Sequence, residues 1–70
     1  LRLENGLEQI GDFAFYGCSG LQWVSIPKSV SYISDSAFSG CHPVIYTMNS
    51  YVIDYANSHG LTWQFSERTW

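Results

Sequence analysis

Charge is scarce in this 70-residue chain: three Lys and Arg, six Asp and Glu, together 13% of the sequence, against about 25% in an ordinary globular domain. A net charge of −3 leaves no basic stripe of the kind nucleic acid requires, so nucleic-acid partners are excluded. Long apolar runs are missing too; none approaches the ~18 residues of a membrane span. Cysteine occurs only at Cys18 and Cys41, with no C-x-x-C pair to suggest a zinc or redox motif. There is no G-x-S-x-G elbow, no glycine-rich phosphate loop and no N-x-S/T sequon. His42 directly follows Cys41, and neighbours in extended chain point to opposite sides. His59 has no second ligand four residues on. No catalytic residue, no metal site and no cofactor is expected. What the chain does have is apolar content of 46% and aromatic content of 17%, too hydrophobic for a disordered segment. At this length it forms one small domain at most.

The strongest signal is an internal repeat. Shifting the sequence by 23 residues (41 − 18) carries Ile10 onto Ile33, Asp12 onto Asp35, Ala14 onto Ala37, Phe15 onto Phe38, Gly17 onto Gly40 and Cys18 onto Cys41. Leu3, Leu7 and Leu21 fall on Ile26, Val30 and Val44, keeping apolar character without identity. A period of 20–29 residues belongs to leucine-rich repeats. Within one unit, Leu21, Val24 and Ile26 have the L-x-x-L-x-L spacing of a short strand, and Pro27, lacking an N–H, ends its pairing. Val30 and Ile33 then turn inward. Asp35-Ser-Ala-Phe38 makes the outer arc with the Phe ring inside, and Gly40 closes a turn that favours positive φ. Asp12 and Asp35 occupy one repeat position and are expected to hold turns by accepting from nearby backbone N–H groups. Strands are expected near residues 1–3, 21–26 and 44–48, stacked in parallel, with Phe15 and Phe38 buried one above the other.

The stretch from Ile10 to Cys41, IGDFAFYGCSGLQWVSIPKSVSYISDSAFSGC, resembles the BspA-like (treponemal-class, bacterial surface) leucine-rich repeat family. Its unit runs close to IG-x-x-AF-x-x-C-x-x-L-x-x-I-x-IP-x-S-V. The match covers 1–48, with Ser34 where the pattern has Gly and His42-Pro43-Val44 in place of x-x-L. The resemblance implies an α/β fold: a right-handed leucine-rich repeat solenoid fragment with short parallel strands. In this reading 1–48 holds two repeats of 23 residues, the first truncated at its strand. Ala14, Phe15, Cys18, Ala37, Phe38 and Cys41 are its structural positions. Further repeats are expected on the N-terminal side, since the chain opens on Leu1-Arg2-Leu3 within a strand.

After Met48 the pattern breaks. Asn49 or Ser50 can N-cap a helix whose apolar face carries Val52, Tyr55, Ala56 and His59. Gly60 then stands where helices often end, and Leu61-Thr-Trp-Gln-Phe65 alternates like a half-buried strand. Solenoid ends take atypical units, and the segment also resembles the ending that follows such repeats in the same family. Residues 49–65 are accordingly read as a C-terminal helix–strand cap and 66–70 as a tail without pattern.

Two questions of chemistry remain. Equivalent cysteines on stacked units come within disulfide range, but their side chains point the same way and no Lys or Arg lies near to activate a thiolate. Two buried free thiols are favoured over a disulfide. On the strands, residues between the inward positions face out, and these are Trp23 and Ser25. One repeat later stand Tyr46 and Met48, and Arg2 precedes Ser25 by the same period. Arg2, Trp23, Ser25, Tyr46 and Met48 thus form the candidate binding surface on the concave face; aromatics flanked by polar groups mark partner surfaces, although the Trp23/Tyr46 pair could equally be a prop for the sheet. The family resemblance implies a non-enzymatic adhesion module binding a protein or glycan ligand, extracellular or at the cell surface. The alternative is a structural spacer or targeting arm attached to a separate catalytic domain.

Overall fold

A computed structural model of the chain describes residues 1–66. Its elements, in order, are β1 (Gln9–Ile10), β2 (Trp23–Ser25), β3 (Tyr32–Ile33), β4 (Val44–Thr47), the helix α1 (Ser50–Ser58) and β5 (Trp63–Phe65). They form two all-parallel sheets, β1-β3 and β2-β4-β5, and Arg2 adds a bridge to Ser25 at the free edge of β2. One buried cluster joins Ile10 and Ile33 of the small sheet to Val24 and Ile45 of the larger, with Phe38 and Cys41 between and Val52, Tyr55 and Ala56 from the helix.

Strands this short cannot hold a fold by ladder bonds alone, and the two repeat units are bonded to each other along their whole course. Leu3 N–H donates to Ser25 O (3.0 Å), Ser34 N–H to Ile10 O (2.9 Å), Phe15 N–H to Ala37 O (2.8 Å) and Gly17 N–H to Ser39 O (3.0 Å). The phenyl rings of Phe15 and Phe38 stack at 5.0 Å and 9°, as the repeat predicts. Gly17 and Gly40 both take positive φ (69° and 75°). A Cβ added at Gly40 would also lie 3.5 Å from the Gly17 nitrogen.

Several expectations need correction. The sequence reading missed the small sheet altogether: Gln9 pairs with Tyr32 and Ile10 with Ile33, two residues a strand being too brief to leave a periodic signal. The 23-residue register also fails in the larger sheet, at the step from β2 to β4. Trp23 pairs with Val44, Val24 with Ile45 and Ser25 with Tyr46, a spacing of 21. The path from Cys41 to its inward strand residue is two positions shorter than that from Cys18, and buried Pro43 spans it. Val44 is therefore the partner of Trp23 rather than the counterpart of Leu21, and Ile45 and Thr47 are the buried residues of β4. The carboxylates of Asp12 and Asp35 do not hold turns through nearby N–H groups. Asp12 accepts from the Ser34 hydroxyl, and Asp35 Oδ1 lies 3.4 Å from His59 Nε2. Serines hold the backbone instead: Ser29 Oγ accepts from Gly6 N–H (3.0 Å) and donates to Leu7 O (2.7 Å), and Ser36 Oγ accepts from Phe13 N–H (3.2 Å). Ser34, the departure from the family's Gly, earns its place through the bond to Asp12.

Burial of the repeat positions is one-sided. Ala37, Phe38 and Cys41 are buried, while their counterparts Ala14 and Cys18 are exposed and Phe15 is half-buried. The expectations of two buried rings and two buried thiols thus hold for Phe38 and Cys41 alone. Both cysteines are free, and burial, with Cys18 nearby, pushes the Cys41 thiol above its ordinary pKa. An alkylating reagent added to the native chain should give one adduct by intact mass, at Cys18, and two after denaturation. A native mass two hydrogens low, restored by reductant, would instead show a disulfide.

At the helix, Asn49 is the N-cap: its Oδ1 accepts from Tyr51 N–H (2.9 Å), and its Nδ2 donates to Lys28 O (3.2 Å) and Val30 O (2.7 Å). One side chain thereby caps the helix and ties it to the loop after Pro27. Val52, Tyr55 and Ala56 face the core, as expected. His59 is exposed and is the C-cap. Gly60 follows at φ +68°, with Leu61 N–H donating to Ala56 O (2.8 Å) and Gly60 N–H to Asn57 O (3.4 Å), the paired bonds of a Schellman ending. Of the tail 66–70, residues 67–70 lie outside the described residues.

Candidate functional site

The five residues singled out on the strands fall on one side of the larger sheet, in an arrangement that differs from the expected ladder. Trp23 is 38% exposed, and its ring meets that of Tyr46 edge to face at 6.1 Å. Tyr46 sits opposite Ser25 rather than opposite Trp23, so the aromatic contact is diagonal across the ladder, within reach for rings of this size. Met48 lies one residue past β4 and is 37% exposed; it is not in register with Ser25. Ser25 itself, expected to face solvent, is only 7% exposed, because the bridge from Arg2 on one side and Tyr46 on the other close over so small a side chain.

Four of the five, Arg2, Ser25, Tyr46 and Met48, line one groove of about 330 Å³ at the ends of the strands; Trp23 stands outside it and touches it through Tyr46. Lys28 and Glu4, which follow the strands in successive units, complete its charged lining. Sequence reasoning missed both. Their signal was available in the repeat, since the loop after each strand returns to the same place. The groove is built on fixed backbone: Leu3 N–H donates to Ser25 O, Ile26 N–H to Tyr46 O (both 3.0 Å), and Lys28 O accepts from Asn49.

A second concavity of about 370 Å³ lies between β3 and α1, lined by Tyr32, Asp35, Tyr51, Asp54, Tyr55 and His59 among others. Tyr55 donates to Ser34 O (2.7 Å) and stacks on the His59 ring at 3.9 Å. Burial first, then the nearby Asp35 and the phenols of Tyr51 and Tyr32, push its pKa up to about 12, so the phenol serves as a hydrogen-bond donor at any physiological pH. His59 Nδ1 is engaged by Tyr55 O (2.9 Å) and Nε2 faces Asp35, a carboxylate so exposed that the pair adds little stability. Among the described residues no hydroxyl or thiol is hydrogen-bonded to a histidine, and no three His, Cys, Asp or Glu side chains converge on a metal position. No helix among them is long and apolar enough to cross a membrane.

Comparison with protein families matches residues 1–60 to the BspA-type leucine-rich repeat region (6 copies). Neither curated proteins nor solved structures gave a match. Leucine-rich repeats of this kind are protein-interaction modules and generally not catalysts, in keeping with parallel strands that recur with the sequence repeat. With six-sevenths of its length covered by that match, the chain belongs to the BspA-type leucine-rich repeat family.

Proposed function

We propose that the chain is a non-enzymatic binding module, part of a right-handed leucine-rich repeat solenoid that is secreted or displayed at a cell surface and takes a protein or glycan on its concave face. Residues 1–48 are two of its repeats and 49–65 its C-terminal cap. Further repeats on the N-terminal side are supported by the one-sided burial: a preceding unit would cover Ala14, Phe15 and Cys18 as the first unit covers Ala37, Phe38 and Cys41. The observation that carries the binding reading is the Trp23/Tyr46 pair beside the Arg2–Met48 groove. Aromatic anchors next to a polar, concave surface are the usual composition of interface hot spots.

Trp23→Ala is the test. Binding to immobilised extracellular-matrix proteins or glycans should weaken by about 2 kcal/mol or more, while the melting temperature changes little, because the indole is a third exposed and leaves no closed cavity. In the second reading, a spacer or targeting arm attached to a catalytic domain, the edge-to-face pair only supports the sheet. Trp23→Ala would then lower stability and leave any binding untouched.

A further inference from the structure

We infer that the groove receives a carboxylate, supplied by an acidic peptide segment of the partner. This rests on the reading that the Trp23/Tyr46 side of the sheet is a binding surface, and it names the chemistry recognised there. Three observations converge.

The chain has three Lys and Arg in all, and two of them, Arg2 and Lys28, line this one groove. They come from different units, brought together by the stacking that bridges Arg2 to Ser25. The four other described carboxylates, those of Glu8, Asp12, Asp35 and Asp54, do not line it; Glu4 alone does. In a molecule of net charge −3, this is a local reversal of sign.

Neither cation is already neutralised within the described residues, whose single ion pair is His59–Asp35 on the other side of the core. Arg2 presents a planar fork suited to two carboxylate oxygens, and Lys28 a point charge.

Ser25 supplies the third observation. Its side chain is more than nine-tenths buried, lines the groove, and its hydroxyl has no hydrogen-bond partner among the described residues. Buried hydroxyls in folded proteins are nearly always satisfied, and leaving one unmet is costly. A carboxylate oxygen seated between Arg2 and Lys28 would accept that O–H. The flanking walls, Tyr46 and Met48, offer apolar contact to the residue next to the acid, which favours a peptide with alternating acidic and apolar side chains over a uniformly polar sugar acid.

The test titrates the isotopically labelled 70-residue chain with a short acetylated peptide of alternating Glu and Leu, its Gln/Leu counterpart, and an oligomer of glucuronate. The acidic peptide should move the amide signals of Leu3, Ser25, Ile26, Lys28 and Met48 saturably, and the shifts should shrink as salt is raised from ~0.05 to ~0.5 M. Arg2→Gln with Lys28→Gln should weaken binding about tenfold or more. Ser25→Ala should weaken it less, and Glu4→Gln should strengthen it several-fold by removing the one like charge among the described lining residues. Equal binding of the Gln/Leu peptide, binding unchanged in the double variant, or binding of the glucuronate oligomer alone would overturn the inference. So would an absence of shifts. If Trp23→Ala still abolishes capture of a matrix ligand in that case, the binding surface stands and only its carboxylate chemistry falls.

Discussion

Phe38→Ala should abolish cooperative folding of the chain. The ring is 6% exposed and is stacked at 5.0 Å on Phe15 and tilted against Tyr55 at 6.1 Å. It therefore touches the first unit on one side and the helix on the other, and no rearrangement of a single element can refill its space. Truncating a buried Phe costs about 3–5 kcal/mol, and domains of this size rarely have more than that to lose. Phe15→Ala is the control, since it removes the same side chain from the same repeat position. Phe15 is only half-buried, so its loss should cost clearly less and leave a measurable transition. The measurement is denaturant or thermal unfolding followed by circular dichroism. A Phe38→Ala protein that melts cooperatively at close to the parent temperature would show that the stacked rings do not centre the core.

That contrast also shows where sequence reasoning reached and where it stopped. The repeat announces which residues are equivalent, because identical stacking environments select the same side chains: Ala, Phe, Gly and Cys recur at 23 residues. It does not announce that equivalents differ in burial, which depends on what lies on either side of each unit. Cys18 and Cys41 look alike in sequence and differ in exposure for that reason. The shortened path through Pro43 was visible as a departure from the family pattern, yet its consequence, a two-residue change of register, appears only when the strands are paired. Of the site, Arg2, Ser25, Tyr46 and Met48 were legible as outward strand positions. The burial of Ser25 was not, since alternation gives the side of the sheet but not how closely larger neighbours cover a small residue. Lys28 and Glu4 were missed because they stand in the loops after the strands and not at outward strand positions, although the repeat brings each such loop back to the same place.

Truncating the chain after Met48 should turn the remaining 1–48 fragment into an aggregating species. The segment 49–65 covers two different liabilities. β5 pairs with β4 from Ile45 to Thr47; without it β4 becomes an open parallel edge, a ready template for other chains. The helix contributes Val52, Tyr55 and Ala56, and Leu61 follows it, all buried in the cluster that contains Ile45 and Phe38. Polar closure goes as well: Tyr51 Oη accepts from Ile33 N–H (3.0 Å), Tyr55 donates to Ser34 O, and Asn49 holds the Lys28 and Val30 carbonyls. Each of these backbone groups would have to find water instead, at about 1–3 kcal/mol for any that stays buried. Asn49→Ala separates the two liabilities, since it leaves β5 and the helix's apolar face in place. It should lower stability by about 1–2 kcal/mol without causing aggregation. Size-exclusion chromatography with light scattering reads both variants. A 1–48 fragment that stays monomeric and melts cooperatively would refute the assignment of 49–65 as a cap, and aggregation of Asn49→Ala would move the critical interaction from the sheet edge to that single side chain.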